Sequence, residues 1–209
     1  MSNLFNPDNA VMQFITKIAH CAYLNILWFI CCLPVVTIGA STTALFYVTL
    51  KMAKNQEGNL TGAFFHSFKE NFKQGTFIWL ILLVIGIVLG IDGYVLYHLR
   101  FSNIFWTMVS AVFLVALAAY IIILMYIFPL LSRFQNTTFA MFKNSLMIGM
   151  RFLLCTFFMA AIYFIMAYVV INLFTPAIIF GYGLCAFLCS YLLSNILTLC
   201  QEKTEERIL

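Results

Sequence analysis

Long apolar runs alternate with short polar segments along the whole chain. Six of these runs approach or exceed the roughly 18 to 20 residues that a helix needs to cross a bilayer. The pattern therefore predicts an all-α fold, a polytopic transmembrane helical bundle that forms one integral membrane domain over residues 1–209. The six predicted spans are at about 13–34, 36–53, 75–97, 104–131, 151–172 and 176–199.

Composition supports a membrane protein. Of the 209 residues, 64% are hydrophobic and 9% are charged. A soluble domain carries about 25% charged residues, and one of this size could not cover its surface with so few. The chain has a net charge of +4, and its basic residues lie beside the apolar runs. We therefore interpret this charge through membrane topology and expect no nucleic-acid partner.

The first residues predict a helix start. Asn6 is suited to cap it, Pro7 to the first helical position, and Asp8 to the positive end of the helix dipole. The segment lacks the basic region and the cleavage site of a signal peptide, so we expect it to stay attached.

The stretch from Cys31 to Lys51, CCLPVVTIGASTTALFYVTLK, predicts a reversal of the chain. Pro34 lacks an amide donor and disfavours helix in the residue before it. We expect Gly39 to relax the backbone and Ser41 to cap a new helix. A re-entrant hairpin that does not reach the far side of the membrane is the alternative, with its non-helical backbone buried against protein or water.

The basic residues favour the reversal. If the second run crosses the membrane, ten of the eleven Lys and Arg residues fall on one side and Arg100 alone on the other. The positive-inside rule makes that side cytoplasmic, together with both termini. The ten residues are Lys17, Lys51, Lys54, Lys69, Lys73, Arg133, Lys143, Arg151, Lys203 and Arg207.

Two further segments, about 61–74 and 137–150, predict amphipathic helices on the cytoplasmic leaflet. In the first, an apolar face of Phe64, Phe65, Phe68 and Phe72 opposes His66, Lys69, Glu70 and Lys73. A shift of 78 residues aligns the two segments, as a parallel internal repeat would require, although chance similarity of two interfacial helices would also explain it. The aligned pairs are Phe64 with Phe142, Ser67 with Ser145, Phe68 with Leu146 and Lys73 with Arg151.

A few small or polar residues stand out inside the spans. Gly86, Gly90 and Gly93 predict a seam for close helix packing, within the chain or between subunits. Asp92 is the only carboxylate in a predicted span, so it is a candidate for a solute or proton role or for an acid held near the outer interface.

Polar side chains also occur in the first and last spans. His20 is a candidate relay or a hydrogen-bonded structural residue. Asn25 could hydrogen-bond across helices to Ser194 and Asn195. These residues would form only a thin polar lining for a transport path.

No chemistry-bearing motif appears. The seven cysteines form no CxxC pair, and the three histidines are scattered. A nucleotide-binding loop, paired intramembrane carboxylates and an HExxH motif are absent from the sequence, so we expect no catalytic residue, cofactor or metal site.

Three stretches, LFNPD (4–8), LNILWFICCLPVVTIGASTTALFYVTLK (24–51) and SFKENFKQG (67–75), resemble the YesL-like family of bacterial integral membrane proteins. That family is catalogued as a domain of unknown function and is typical of Gram-positive bacteria. The resemblance implies a setting beside carbohydrate ABC importers, sugar-binding lipoproteins and glycoside hydrolases. It supplies no catalytic residues.

The resemblance implies a non-enzymatic accessory membrane subunit of a carbohydrate (oligosaccharide) ABC import system, in the bacterial cytoplasmic membrane. Its expected partners are the lipid bilayer and the permease subunits of the importer. A stand-alone small-solute transporter or channel, and a membrane sensor acting on a signalling partner, are the alternatives. The candidate cytoplasmic contact residues are Phe64, Phe68, Phe72, Lys69, Lys73, Lys143 and Arg151.

Overall fold

The chain is all-α, and its computed structural model describes residues 10–56, 58–99, 104–172 and 178–205. The expected helix start at Asn6 to Asp8 and the expected external Arg100 lie outside these ranges. The helices are α1 (Ala10–Cys32), α2 (Ile38–Ala53), α3 (Leu60–Glu70), α4 (Phe72–Leu99), α5 (Ile104–Leu131), α6 (Thr138–Arg151), α7 (Leu153–Asn172) and α8 (Ile178–Glu205).

Six segments of these helices are long and apolar enough to cross a membrane, so the chain is a multi-pass membrane protein. They lie in α1, α2, α4, α5, α7 and α8. The two remaining helices, α3 and α6, are short and amphipathic, as their sequence pattern predicts. Large exposed apolar side chains line α4, α5 and α7, which gives these helices faces suited to lipid.

The chain turns at Pro34, as the sequence predicts. Cys32 ends α1, and a 3-10 turn at Val35–Thr37 leads directly into α2. The Thr37 hydroxyl donates to the carbonyls of Cys31 and Pro34, at 2.6 and 2.7 Å, and so stabilises the turn.

The prediction that Ser41 caps the new helix is wrong. Thr37 is the N-cap of α2, because the 3-10 turn restarts helical geometry immediately after the proline. Gly39 and Ser41 are buried inside α2 and take no part in the turn.

Helix α2 is the centre of the molecule. It contacts α1, α3, α4, α5 and α8, and 12 of its 16 residues are buried. Its small residues let neighbouring helices approach, and two of its buried threonine hydroxyls are hydrogen-bonded. Thr43 donates to the Gly39 carbonyl at 2.8 Å, and Thr49 lies 2.8 Å from Ser190 of α8. The least apolar of the six spans is therefore the best buried.

Helix α3 folds back along α2 and sets where α4 begins. A Cβ atom added at Gly39 would overlap the carbonyl oxygen of Gly75, so the two backbones touch. The indole of Trp79 donates to the Val35 carbonyl at 2.8 Å, next to the α1–α2 turn. The beginnings of α2 and α4 are therefore side by side.

This arrangement differs from straight spans linked by a helix on the membrane surface, which would put Gly39 and Gly75 at opposite ends. The reason is the length of α3. Its 11 residues rise about 16 Å, most of the roughly 24 Å of the 16-residue α2, and the two helices pack along each other. The chain has thus returned to the level of the turn before α4 starts.

Helices α5 and α6 repeat the plan of α2 and α3. Ala53 and Leu131 end α2 and α5, and Leu60 and Thr138 begin α3 and α6, so both pairs are 78 residues apart (53 to 131, 60 to 138). Helix α6 packs back on α5, where a Cβ at Gly149 would overlap the Ile122 side chain. The equal spacing is compatible with an internal repeat. Helices α4 and α7, however, begin 81 residues apart (72 to 153), so the 78-residue spacing holds only at the end of α2 and α5 and the start of α3 and α6.

Candidate functional site: an aromatic cavity between the helices

A cavity of about 620 Å³ lies between α1, α2, α4, α5, α7 and α8. The turn at Pro34 positions its α1 and α2 walls, and the contact between Gly39 and Gly75 positions its α4 wall. Its volume is in the range of about 300 to 1,000 Å³ that small-molecule sites occupy. Seven aromatic residues line it: Trp28, Phe46, Trp79, Phe128, Tyr163, Phe164 and Tyr182.

The aromatic rings pack on one another and form a continuous wall. Trp28 stacks on Tyr182 with ring centroids 4.3 Å apart and an interplanar angle of 20°. The ring of Tyr163 lies 6.3 Å from that of Tyr182, and Trp79 lies 6.5 Å from Phe128. These offset and tilted pairs are favourable aromatic geometries, so the wall has a defined shape.

The polar atoms of this wall are engaged by the protein. The Trp28 indole donates to Thr42 at 3.2 Å, and the Tyr182 hydroxyl also lies beside Thr42. The Trp79 indole is bound to the Val35 carbonyl, and the Tyr163 hydroxyl lies beside the Cys189 thiol. The rings therefore present mainly their apolar faces to the cavity.

The cavity is open to the outside between α5 and α7. Ile121 of α5 and Phe164 of α7 both line it, and they are 45% and 75% exposed. Ala160 of α7 lies in the same wall and is also exposed. Helices α5 and α7 have little contact with each other, and both expose large apolar side chains, so the opening lies on an apolar face of the molecule.

The polar residues predicted inside the spans lie apart from this cavity. Asn25 is fully buried and accepts the amide of Gly183 at 2.9 Å. The expected bond from Asn25 to Asn195 is wrong, because the antiparallel register of α1 and α8 puts Asn195 12 residues along α8, about 18 Å away. Asn195 is exposed, and His20 is half-buried on α1.

Asp92 is exposed on α4 and lines a separate groove of about 320 Å³ between α4 and α5. Gly86 and Gly93 face α5 in the same region. A Cβ at Gly86 would lie 2.5 Å from the Tyr120 hydroxyl, and one at Gly93 would lie 3.1 Å from the Phe113 ring. Gly90 faces open space, so two of the three glycines of the predicted seam admit aromatic side chains of α5.

Of the predicted contact residues, Phe64 is fully buried against the core, because α3 packs along α2. Phe64 is therefore a packing residue, and the prediction that it contacts a partner is wrong. Phe68 is half-buried, and Phe72 is exposed. The four predicted contact cations, Lys69, Lys73, Lys143 and Arg151, are all exposed.

Sequence reasoning missed Phe139, which is 81% exposed in the first turn of α6. It also missed the aromatic cavity. One signal was present, since two tryptophans and two tyrosines lie within predicted spans, but their convergence depends on how α3 places α4. Within the described ranges, His, Cys, Asp and Glu side chains form no group of three or more that could hold a metal ion.

Comparison with known proteins bears on the first half of this arrangement. A family model described as "Protein of unknown function, DUF624" matches residues 21–93, from α1 to α4. The predicted family resemblance is confirmed. The DUF624 match includes the turn at Pro34, both glycines of the α2–α4 contact, and the two tryptophans of the cavity. The α5 and α7 walls of the cavity lie beyond it.

The chain is also similar to the "Uncharacterized protein YteU" of Bacillus subtilis (strain 168). The two are 26% identical over 166 residues, which cover 76% of this chain and 73% of the relative. No solved structure matches the chain.

Proposed function

We propose that the chain is a non-enzymatic accessory membrane subunit of a bacterial carbohydrate (oligosaccharide) ABC import system. The carbohydrate setting comes from the YesL-like resemblance, and the structure contributes a surface that fits a docking role. The observation that carries the proposal is the pair of amphipathic helices α3 and α6. Each buries one face on a span and exposes aromatic and basic side chains on the other.

The exposed side of α6 is the more distinctive half of this surface. Phe139 and Lys143 are one helical turn apart, and both are exposed. Exposed aromatic residues beside cations are typical of interface anchors. We therefore expect α6 to contact an apolar patch with acidic residues around it on a permease subunit.

The proposed orientation puts this surface in the cytosol, together with both termini. The loops that carry the basic residues are joined by hydrogen bonds. Lys17 donates to Asn55 at 2.6 Å, and Lys54 donates to Thr198 at 2.9 Å, which joins the beginning of α1 to the end of α2 and to α8. Lys73 lies next to the contact between Gly39 and Gly75, at the opposite end of α2 from Lys54. A common cytosolic side for the basic loops, supported by the excess of Lys and Arg, therefore fits the re-entrant alternative, in which α2 does not reach the far side of the membrane.

Polar contacts also join the end of α3 and the start of α4 to the loop that precedes α6. Gln135 donates to the Glu70 carboxylate at 3.1 Å, and Gln74 donates to the Asn136 carbonyl at 2.7 Å. Arg133 of the same loop is half-buried, and burial lowers the pKa of its guanidinium. Arg133 is therefore less available to a partner than Lys69, Lys73 and Lys143, which are exposed.

A stand-alone sugar transporter fits these observations less well. A sugar needs a path of hydrogen-bonding groups, because burying a polar group without partners costs free energy. The cavity presents aromatic and aliphatic side chains, Asn25 is bound to the Gly183 amide, and Asn195 is exposed. A membrane sensor of a signalling partner would use the same surface of α3 and α6.

The proposal is tested by affinity purification of the chain from native bacterial membranes in mild detergent. We expect the permease subunits of a carbohydrate importer to be recovered with the wild-type chain. Phe139→Glu should reduce their recovery at least fivefold, because it removes the apolar contact and adds a negative charge beside Lys143. Phe139→Leu is the matched control, since it keeps an apolar side chain at the same position.

Two results would count against the proposal. One is a chain that purifies alone and moves a solute in proteoliposomes. The other is equal recovery of the permease with Phe139→Glu and Phe139→Leu. A signalling protein in place of the permease would favour the sensor role of the same surface.

A further inference from the structure

We infer that the aromatic cavity is a binding site for one acyl chain of a membrane phospholipid, which enters sideways between α5 and α7. This inference is independent of the proposed accessory role. It rests on the position of the cavity, the nature of its walls, and the side on which it opens.

The walls favour an apolar occupant. The indole groups of Trp28 and Trp79 donate to Thr42 and to the Val35 carbonyl, so both donors are already used. A polar solute that entered would lose its hydration without gaining these bonds. The stacked faces of Trp28 and Tyr182 offer dispersion contacts to methylene groups instead.

Water is a poor occupant for the same reason. A buried water needs two to four polar partners, and apolar cavities without them stay dry. A dry and empty cavity of about 620 Å³ would leave its lining atoms without contacts on one side. A hydrocarbon chain supplies those contacts.

The position of the opening indicates that the acyl chain comes from the membrane. Ile121 and Phe164 belong both to the cavity wall and to the exposed apolar faces of α5 and α7. The cavity is thus continuous with the surface that membrane-spanning helices present to lipid. An acyl chain of a neighbouring phospholipid can enter from this side while its headgroup stays at the interface.

Ala160 provides the means to close the site. Ala160 lies in the cavity wall on α7 and is exposed, so a larger side chain can be accommodated there without displacing core residues. Ala160→Trp should fill the opening. Ala167→Trp is the matched control, because Ala167 is exposed on the same helix and is not part of the cavity lining.

The test uses the full chain in vesicles that contain phosphatidylglycerol with a photoreactive group near the end of one acyl chain. After illumination, mass spectrometry of the digested protein locates the labelled residues. We expect wild type to be labelled preferentially on cavity residues such as Phe46 and Phe128, which lie behind the opening. Ala160→Trp should lose at least fivefold of this labelling, and Ala167→Trp should keep it.

Two outcomes would overturn the inference. The first is labelling spread evenly over the exposed faces of α4, α5 and α7, which would indicate ordinary surrounding lipid. The second is equal labelling of the cavity residues in both tryptophan variants. If Ala160→Trp does not assemble, the labelled positions in wild type still decide between a cavity site and surrounding lipid.

Discussion

The two halves of the internal repeat cross in different ways. In the first half, α4 crosses α2 at Gly39 and Gly75, and the two backbones touch. Moving 78 residues along the chain replaces these glycines by Leu117 and Leu153. Leu153 is exposed, and α5 and α7 have little contact. The helices α2 and α4 are therefore in close contact, whereas α5 and α7 leave a gap between them.

The close contact in the first half depends on its two glycines, because glycine lets two helix axes approach closely. The positions 78 residues later carry leucine instead. The space left between α5 and α7 is where the aromatic cavity opens. The closely packed α2–α4 pair thus forms the fixed side of the cavity. The α5–α7 pair forms the side through which a ligand can enter.

The largest expected effect tests how firmly each short helix is fixed. Phe64 of α3 is fully buried, and its repeat partner Phe142 of α6 is only half-buried. Truncating a fully buried phenylalanine costs about 3 to 5 kcal/mol. We expect Phe64→Ala to approach this loss, and Phe142→Ala to lose less than half as much.

The measurement for both variants is denaturant unfolding in mixed micelles, followed by tryptophan fluorescence. The comparison of the halves predicts an unequal pair of losses. Equal losses would mean that α3 and α6 are held equally well, and the distinction between a fixed and a looser half would fail.

The second prediction concerns the α2–α4 contact. A side chain at position 39 would meet the Gly75 carbonyl oxygen and the Trp79 side chain. Overpacking a tight contact costs about 1 to 3 kcal/mol. Gly39→Val should lower the free energy of unfolding by this amount and weaken assembly in the membrane.

Gly90→Val is its matched control, since a Cβ at Gly90 meets nothing within 4 Å. Both variants replace a helical glycine by valine, so they introduce the same side chain in a tight and in an open position. A Gly39→Val protein as stable as Gly90→Val would show that the first crossing is not tight.

The third prediction concerns the contact that replaces close backbone packing in the second half. The Tyr126 hydroxyl lies 2.9 Å from Thr156, whose own hydroxyl donates to the Gly149 carbonyl at 2.9 Å. Hydrogen bonds between membrane helices contribute about 0.6 kcal/mol on average. We expect Tyr126→Phe to lose about this amount in micelle unfolding, and Tyr168→Phe, at an exposed position of α7, to lose less.

Much of this architecture could be predicted from the sequence, because membrane spans are set by length and apolarity alone. The predicted bounds of the third, fourth and fifth spans lie within three residues of α4, α5 and α7. The turn at Pro34 could be predicted from the missing amide donor of proline. These features depend on residues that are neighbours in the sequence, so local sequence patterns predict them.

The tertiary relations could not be predicted in this way. The packing of α3 along α2 depends on which face of α3 is buried. The sequence alone does not distinguish the buried Phe64 from the half-buried Phe68. The register that joins Asn25 to Gly183 depends on the packing of distant helices. The aromatic cavity requires residues from six helices, so no single segment carries its signature.

The smallest expected effect concerns Asp92, in the part of α4 beyond the crossing. Its repeat partner 78 residues later is Val170, so only the first half carries an acid at this position. Asp92 is exposed in a groove between α4 and α5 rather than buried in the core. Surface substitutions away from special features change stability by less than about 0.5 kcal/mol. We expect Asp92→Asn to unfold like wild type and to assemble normally, as judged by unfolding in micelles and by size-exclusion chromatography. Normal assembly with lost carbohydrate uptake in cells would instead assign Asp92 a role in transport. Helix α4 would then have a function in addition to its packing against α2.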